Sequence, residues 1–524
     1  MTGSKAVDSS SVAAAAALER AKLIAFGVAL LQSFANGFYY GYSVYSTRLS
    51  TIVGISRADV VLLGVLAQAG LGVFQYPTTL LINRAIKRGY SVDFMDKVMD
   101  VWCGFLFCAA TFGIGTVLYI CETGGRLDYS TTMAVLGLCY WMWGQAAGAA
   151  FNSCSTVINF NNTGNIRKRR VQLVMISLAV GFGGVFVVVV YEFGLKLTTS
   201  LNSFLFGTGV IYAAIVLARL GWMKRVPTFA TATAPSDPPS TSSSSTNPGF
   251  VSPGKDDDDV EDTEKQARPA PPVVTTSSNV PQSLAQLFKS DIVWLTCLST
   301  FLGIGASGTI LSSLGNIGSQ LDSTMDISFG LTIMFLTLQT FGRFLNAVVY
   351  GYGEWPFVFA FWQLFCLFGI VAFLARPDHI GAYLAAAMIG MSFGGFHSCF
   401  PILTATAFPG NPAVDYPQSI GVTLAISSFG CIVVGQIATA VYKAAQGAGL
   451  VTGFFGMFLF FMAVMVVSAF SAIVLGTRIK RNRRRFRVLS NDEAPHLVPS
   501  PSALILAPVG EAEEAGEENQ KVST

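Results

Sequence analysis

About twelve separate stretches of this 524-residue chain are long and apolar enough to cross a bilayer, and a polar, low-complexity insert divides them six and six. A run near twenty residues without paired charges cannot be laid out as a soluble helix, which needs a polar face, so the bilayer is its solvent. Composition agrees, because 52% of residues are hydrophobic and only 12% are charged, about half the charged share of soluble domains. Spans are predicted near 23–46, 60–82, 98–121, 131–157, 170–191 and 201–222, then near 291–313, 327–350, 356–375, 381–404, 417–441 and 451–476. The expected organisation is an N-terminal segment 1–22, a six-helix bundle over 23–222, a linker over 223–290, a second bundle over 291–476 and a tail over 477–524.

Lys and Arg are retained on the cytoplasmic side in short loops near span ends. Arg84, Lys87, Arg88 and Lys97 lie between spans two and three, Arg167 to Arg170 between four and five, and Lys224 and Arg225 after six. The tail carries Arg478, Lys480, Arg481 and Arg483 to Arg485, whereas the intervening loops hold mostly one basic residue each. Both termini are therefore expected in the cytoplasm, and the single sequon, Asn161-Asn162-Thr163, is expected there unglycosylated. Net charge is only +3, so the basic tail reads as an orientation anchor with affinity for anionic lipid and not as a nucleic-acid site. Residues 1–22 show no secretory signal and are expected to be disordered or a short surface helix. Residues 226–289, rich in Pro, Ser and Thr with the acidic run Asp256 to Asp259, bury too little apolar surface to order and are expected to form a cytoplasmic linker. The nine cysteines lie in or beside spans without a Cys-x-x-Cys pair, so they read as small buried side chains and not as a metal site or disulfide framework.

The two halves share a pattern. Phe151-Asn152-Ser153-Cys154 lies in the fourth span and Phe396-His397-Ser398-Cys399 in the tenth, preceded by Gly144 and Gly148 in one and Gly390 and Gly394 in the other. Glycines at that spacing let helices approach closely in lipid, and they are expected to be packing residues. Two six-span halves of one orientation form a parallel repeat, which pairs Asn152 with His397 near the midplane.

On these residues the chain resembles the nodulin-like branch of the major facilitator superfamily. The first span reads Asn36-Gly37-Phe38-Tyr39-Tyr40-Gly41-Tyr42-Ser43-Val44-Tyr45-Ser46, similar to that branch's Tyr-rich opening. The segment from Gly144 through Asn159-Phe160 and Arg169-Arg170 to Gly181 and Gly183-Gly184 resembles its second signature, and Gly390 to Phe408 the corresponding second-half element. The resemblance covers nearly all the membrane portion and implies the facilitator fold, with spans one, four, seven and ten forming a transport path. One departure is clear: the Gly-x-x-x-Asp-Arg-type loop motif is reduced to Asn83-Arg84 with Lys87-Arg88-Gly89, and to Tyr350-Gly351-Tyr352-Gly353, without the usual acid.

A charged or titratable side chain inside the bilayer is costly and becomes a functional candidate by default. His397 is the one histidine within a predicted span; it reads either as a cavity residue with a proton-coupling role or as an interhelical hydrogen-bond partner. Arg343 suits a carboxylate or phosphate, and the related monocarboxylate porters are similar in placing an arginine in the eighth span. Its position late in an inward-running helix favours the other reading, a side chain that reaches the cytoplasmic boundary and helps close that side. Asn36 and Tyr40 are the first-span candidates for a wet cavity, Asn152 the fourth-span candidate, and Gln339 and Asn346 share helical spacing with Arg343. Phosphate loops, metal-ligand sets and catalytic constellations are absent, so no cofactor and no enzyme activity are expected. The sequence predicts a transporter of a small polar organic solute by alternating access between two bundles, carboxylate-bearing or proton-coupled in its sharper forms. A receptor or sensor on the same fold is the other reading.

Overall fold

The computed structural model describes residues 9–125, 127–162, 165–195, 200–225, 284–321, 327–352, 356–408, 416–446 and 450–492. Most of the linker, Thr163 of the sequon and the end of the tail lie outside the described residues. The first half comprises α1 (Ser9–Asn36), a 3-10 turn (Gly37–Gly41), α2 (Tyr42–Val53), α3 (Arg57–Val73), α4 (Gln75–Lys87), α5 (Val92–Glu122), α6 (Tyr129–Asn161), α7 (Ile166–Val189) with a π turn (Val190–Leu195), and α8 (Leu201–Trp222). After the short α9 (Leu284–Leu287) come α10 (Asp291–Leu321), α11 (Ser328–Tyr352), α12 (Val358–Ala375), α13 (His379–Ala407), α14 (Tyr416–Gln446) and α15 (Leu450–Asp492). The described residues divide into two units, one ending at Gly476 and one beginning at Thr477.

Helix starts follow local chemistry. Ser56 and Asp59 form a reciprocal capping box at α3, Ser91 accepts from the Phe94 amide at α5, and Asn165 from the Lys168 amide at α7. Asp128 and Asp378 cap α6 and α13 through the amides of Thr131 and Gly381. The Ser130 hydroxyl beside Asp128, and the Gly381 amide with Arg376 beside Asp378, hold both carboxyls below the usual carboxylate range. Gly54, at φ 73°, ends α2 in the left-handed conformation. Residues 9–22 are helical and continuous with the first span, where Glu19 accepts from Lys22 and from Lys168 of α7 at 2.9 Å each.

Among the described residues, ten helices are long and apolar enough to cross a membrane. The first and fourth spans fall short for physical reasons. The 3-10 turn cuts α1 at Asn36, behind Glu19, Arg20 and Lys22, and α6 carries Trp141, Trp143, Gln145, Asn152 and Asn159 among its glycines. These are the helices with groups to turn away from lipid. All nine cysteines are free, seven of them buried.

Helix contacts repeat across the halves. The α3–α6, α5–α6 and α1–α7 pairs have counterparts in α11–α13, α12–α13 and α10–α14. Between halves, α3 packs on α14 and α7 on α11, an arrangement that maps onto itself when the halves exchange. The glycines set this packing. A Cβ on Gly144 or Gly148 would meet the carbonyl oxygens of Ala67 and Leu71 in α3, and one on Gly390 or Gly394 those of Phe335 and Gln339 in α11. Backbone therefore touches backbone, as dispersion-driven association in lipid requires. We expect Gly148→Val and Gly394→Val each to cost about 3 kcal/mol, read as a lowered Tm of the solubilised protein. Gly207→Ala, with nothing within 4 Å of the added atom, leaves Tm unchanged or raised.

Candidate functional site

The first span breaks where the two halves meet. A 3-10 turn has poorer hydrogen-bond geometry than an α-helix and is common where a helix must present side chains irregularly. Gly37 sits on Gly183 and Gly184 of α7, leaving no room for a Cβ, so the turn is fastened while Tyr39 and Tyr40 project from it. Both tyrosines are buried, their rings 4.1 Å apart. Just before the turn, the Asn36 Oδ1 accepts from Gln32 Nε2 at 3.0 Å and from Tyr212 Oη of α8 at 2.9 Å. Its Nδ2 is buried without a partner.

These groups line a cavity of about 30 Å³ between the halves, room for water and not yet for an organic solute. Asn36, Tyr40, Phe151 and Ser177 come from the first half, Arg343, His397 and Leu424 from the second. Arg343 is 1% exposed. It crosses between the halves, donating through Nη1 to the backbone oxygen of Ser177 and through Nη2 to Tyr40 Oη at 3.5 Å. Among the described residues no carboxylate pairs with it, and its Nε has no partner. A buried guanidinium without a counter-anion is expensive to hold. His397 stacks edge-on against Phe393 at 4.4 Å, and its Nε2 is also unpartnered.

Asn152 is not on the cavity wall; its Oδ1 accepts from Thr156 Oγ1 at 3.5 Å. The reason is register. Phe151 stands seven residues after Gly144, and His397 seven after Gly390, so the glycine contacts make Phe151 the counterpart of His397. The Phe-x-Ser-Cys match is out of step with the glycines by one residue, which turns a helical side chain by about 100°. The same register pairs Arg343, four residues after Gln339, with Gln75, four after Leu71. Of the residues sharing Arg343's spacing, Asn346 is a structural hub: its Nδ2 donates to Gly395 O and Ser398 Oγ, and its Oδ1 accepts from Trp362 Nε1 at 2.8 Å. Gln339 is fully buried beneath Gly394, with both amide atoms unpartnered.

The cavity is closed unequally. Toward the end that carries the basic loops, an apolar cluster joins both halves, with Ile158 and Ile176 from one and Phe400, Ile420 and Leu424 from the other. Toward the opposite end α2 packs on α10, with Gly315 facing Ser43 and Ser46, while the tyrosines bond within the first half: Tyr39 Oη donates to Gln68 Oε1 at 3.2 Å, and Tyr42 Oη to the Val60 carbonyl.

The charges overlooked in the sequence form a second buried group. Asp100 of α5 is the one buried carboxylate among the described residues. It pairs with Arg219 of α8, whose Nη2 also donates to Ser153 Oγ at 3.0 Å. One turn along α5, Asp96 takes a bidentate bond from Arg225 at 2.7 and 2.8 Å, the two side chains 17% and 16% exposed. The signal was present, since Asp100 and Arg219 both fall inside predicted spans. Their nearness to the span ends allowed them to pass as boundary charges. Removing one member of a buried pair strands the other, so Asp100→Ala is expected to cost about 3–5 kcal/mol, against less than about 1 for Asp96→Ala, compared by Tm in detergent.

The helix architecture is similar to that of solved membrane transporters. Matching structures include a bacterial homologue of the iron transporter ferroportin in its outward-facing state, with TM-score 0.56 and 11% identity over 86% of this chain and 99% of that one. The nucleoside transporter NupG matches with TM-score 0.53 and 15% identity over 87% and 98%. The human organic anion transporter MFSD10 matches with TM-score 0.50 and 10% identity over 86% and 99%. No family model and no curated protein matches the sequence. The chain is a multi-pass membrane protein with the major facilitator fold.

Proposed function

We propose that this chain is a secondary transporter that moves a small, polar, carboxylate-bearing organic solute by rocking its two halves about the Arg343 cavity, with both termini in the cytoplasm. Arg343 carries the reading: a fully buried cation between the halves, held by a carbonyl and a phenol, is one an incoming carboxylate satisfies better than the protein does. Because its partners lie on α7 and the first span while Arg343 belongs to α11, an anion that takes over the guanidinium loosens a tie between the halves. Substrate must ease passage between states, and this provides differential binding. Asn36 and Tyr40 supply neutral donors, and Asn152 stays outside the binding set. Assignment to the nodulin-like branch rests on the Tyr-rich first span, the segment from Gly144 to Gly184 and the stretch Gly390 to Phe408. A proton accompanies the solute in this reading, with His397 Nε2 as its acceptor.

In proteoliposomes, uptake of monocarboxylates, amino acids and nucleosides with and without a pH gradient identifies the solute. Arg343→Gln is expected to lower kcat/KM for the transported anion at least about 100-fold, with Arg343→Lys partly restoring it. Undiminished anion uptake in Arg343→Gln removes the reading, and a solute that binds without moving makes the protein a sensor. His397→Ala is expected to leave binding intact while uptake ceases to respond to the gradient; a retained response removes His397 from proton coupling.

A further inference from the structure

A second cavity is larger than the central one. About 260 Å³ opens at the end where α2 meets α10, between Ser56 and Val61 of the first half and Ser313, Gln320, Tyr442 and Lys443 of the second. It is bounded by four elements: the start of α3, the ends of α10 and α14, and the start of α15. Tyr442 Oη donates to Gln320 Oε1 at 2.9 Å and ties α14 to α10 along one wall.

This cavity is aligned with the central one. A void of about 20 Å³ shares Tyr39 and Tyr40 with the central cavity and reaches Gly64 and Ser312. Gly64 is one turn from Val61, and Ser312 is adjacent to Ser313, both on the outer wall. Three spaces therefore stand in line, separated by the Tyr39 and Tyr42 side chains. Charge follows the same line, because Lys443 is the charged residue lining the outer cavity and Arg343 the one lining the inner. Among the described residues neither lining contains a carboxylate; Asp59, off the outer lining, accepts from the Ser56 hydroxyl at 2.6 Å. Val61, Phe454 and Met457 supply apolar lining, with the Phe454 ring 4.9 Å from that of Tyr442.

We infer that the outer cavity is a loading site for a small organic anion, whose charged head meets Lys443 while its carbon skeleton rests on Val61, Phe454 and Met457, before Tyr42 and Tyr39 admit it to Arg343. The inference rests on the transport reading for the passage inward, and on the cavity alone for the binding.

Thiol chemistry on the purified full chain in detergent separates the two. Cys108 and Cys121, the native cysteines that are not buried, are changed to serine, and Thr439→Cys is introduced in the outer wall. Its labelling by the anionic sulfonatoethyl and cationic trimethylammonioethyl methanethiosulfonates is normalised to the reaction of each with free thiol. The anionic reagent is expected to be favoured about threefold, the scale of one exposed charge pair. Lys443→Gln should abolish the preference and Lys443→Glu invert it. Absence of labelling by either reagent, no preference in the Lys443 protein, or a preference that survives Lys443→Glu overturns the proposal. Lys443 is an exposed side chain, so these variants fold. If uptake depends on Arg343 but labelling is indifferent to charge, the loading site alone fails. If labelling follows Lys443 and no solute is moved in liposomes, the transport reading alone fails and the binding site stands.

Discussion

Backbone contact at Gly144 and Gly148 against α3, repeated at Gly390 and Gly394 against α11, is the constraint on which the rest of the molecule depends. In lipid there is no water to expel from between helices, so association relies on close approach. With no Cβ in the way, the register between helices is fixed to the residue. That register decides which side chain of each pair faces inward, and it sets His397 against Phe151 and Arg343 against Gln75.

The result is a symmetric scaffold with an asymmetric lining. The second half supplies a guanidinium and an imidazole where the first supplies an amide and a phenyl ring. The ends are asymmetric too. An interlocked apolar cluster closes the basic end, where separation would expose surface at roughly 25 cal/mol per Å². At the other end α2 meets α10 through small residues, Ser43 and Ser46 against Gly315, and two phenolic hydrogen bonds, each worth about 1 kcal/mol, hold Tyr39 and Tyr42 to their own half.

Much of this was legible in the chain. The apolar periodicity marked the spans, and the glycine spacing marked the helix pairs, because both patterns follow from a solvent that offers no hydrogen bonds. Asn36, Tyr40, Arg343 and His397 stood out as polar groups with no reason to face lipid, and the structure brings them together. Asn152 lies off the wall of this cavity because a four-residue similarity was read as a register, although the neighbouring glycines disagreed with it by one position. Asp100 and Arg219 were missed because a charge a few residues inside a span is indistinguishable, in one dimension, from one at the boundary. Only the third dimension shows α5 and α8 turning these two toward each other. The hub role of Asn346 was equally hidden, since its partners Gly395, Ser398 and Trp362 lie on two other helices.

The short 3-10 stretch in the first span has a mechanical corollary. A residue there advances about 2.0 Å and turns about 120°, against about 1.5 Å and 100° in an α-helix. Were the five residues Gly37–Gly41 to relax into the wider coil, the helix beyond would retract by about 2.5 Å and unwind by about 100°. Tyr42 and Tyr45 would sweep around the axis while Asn36, behind the turn, stayed in place. The span thus contains a screw thread, and its pitch couples the hydroxyls that bar one mouth to the winding of five residues of backbone.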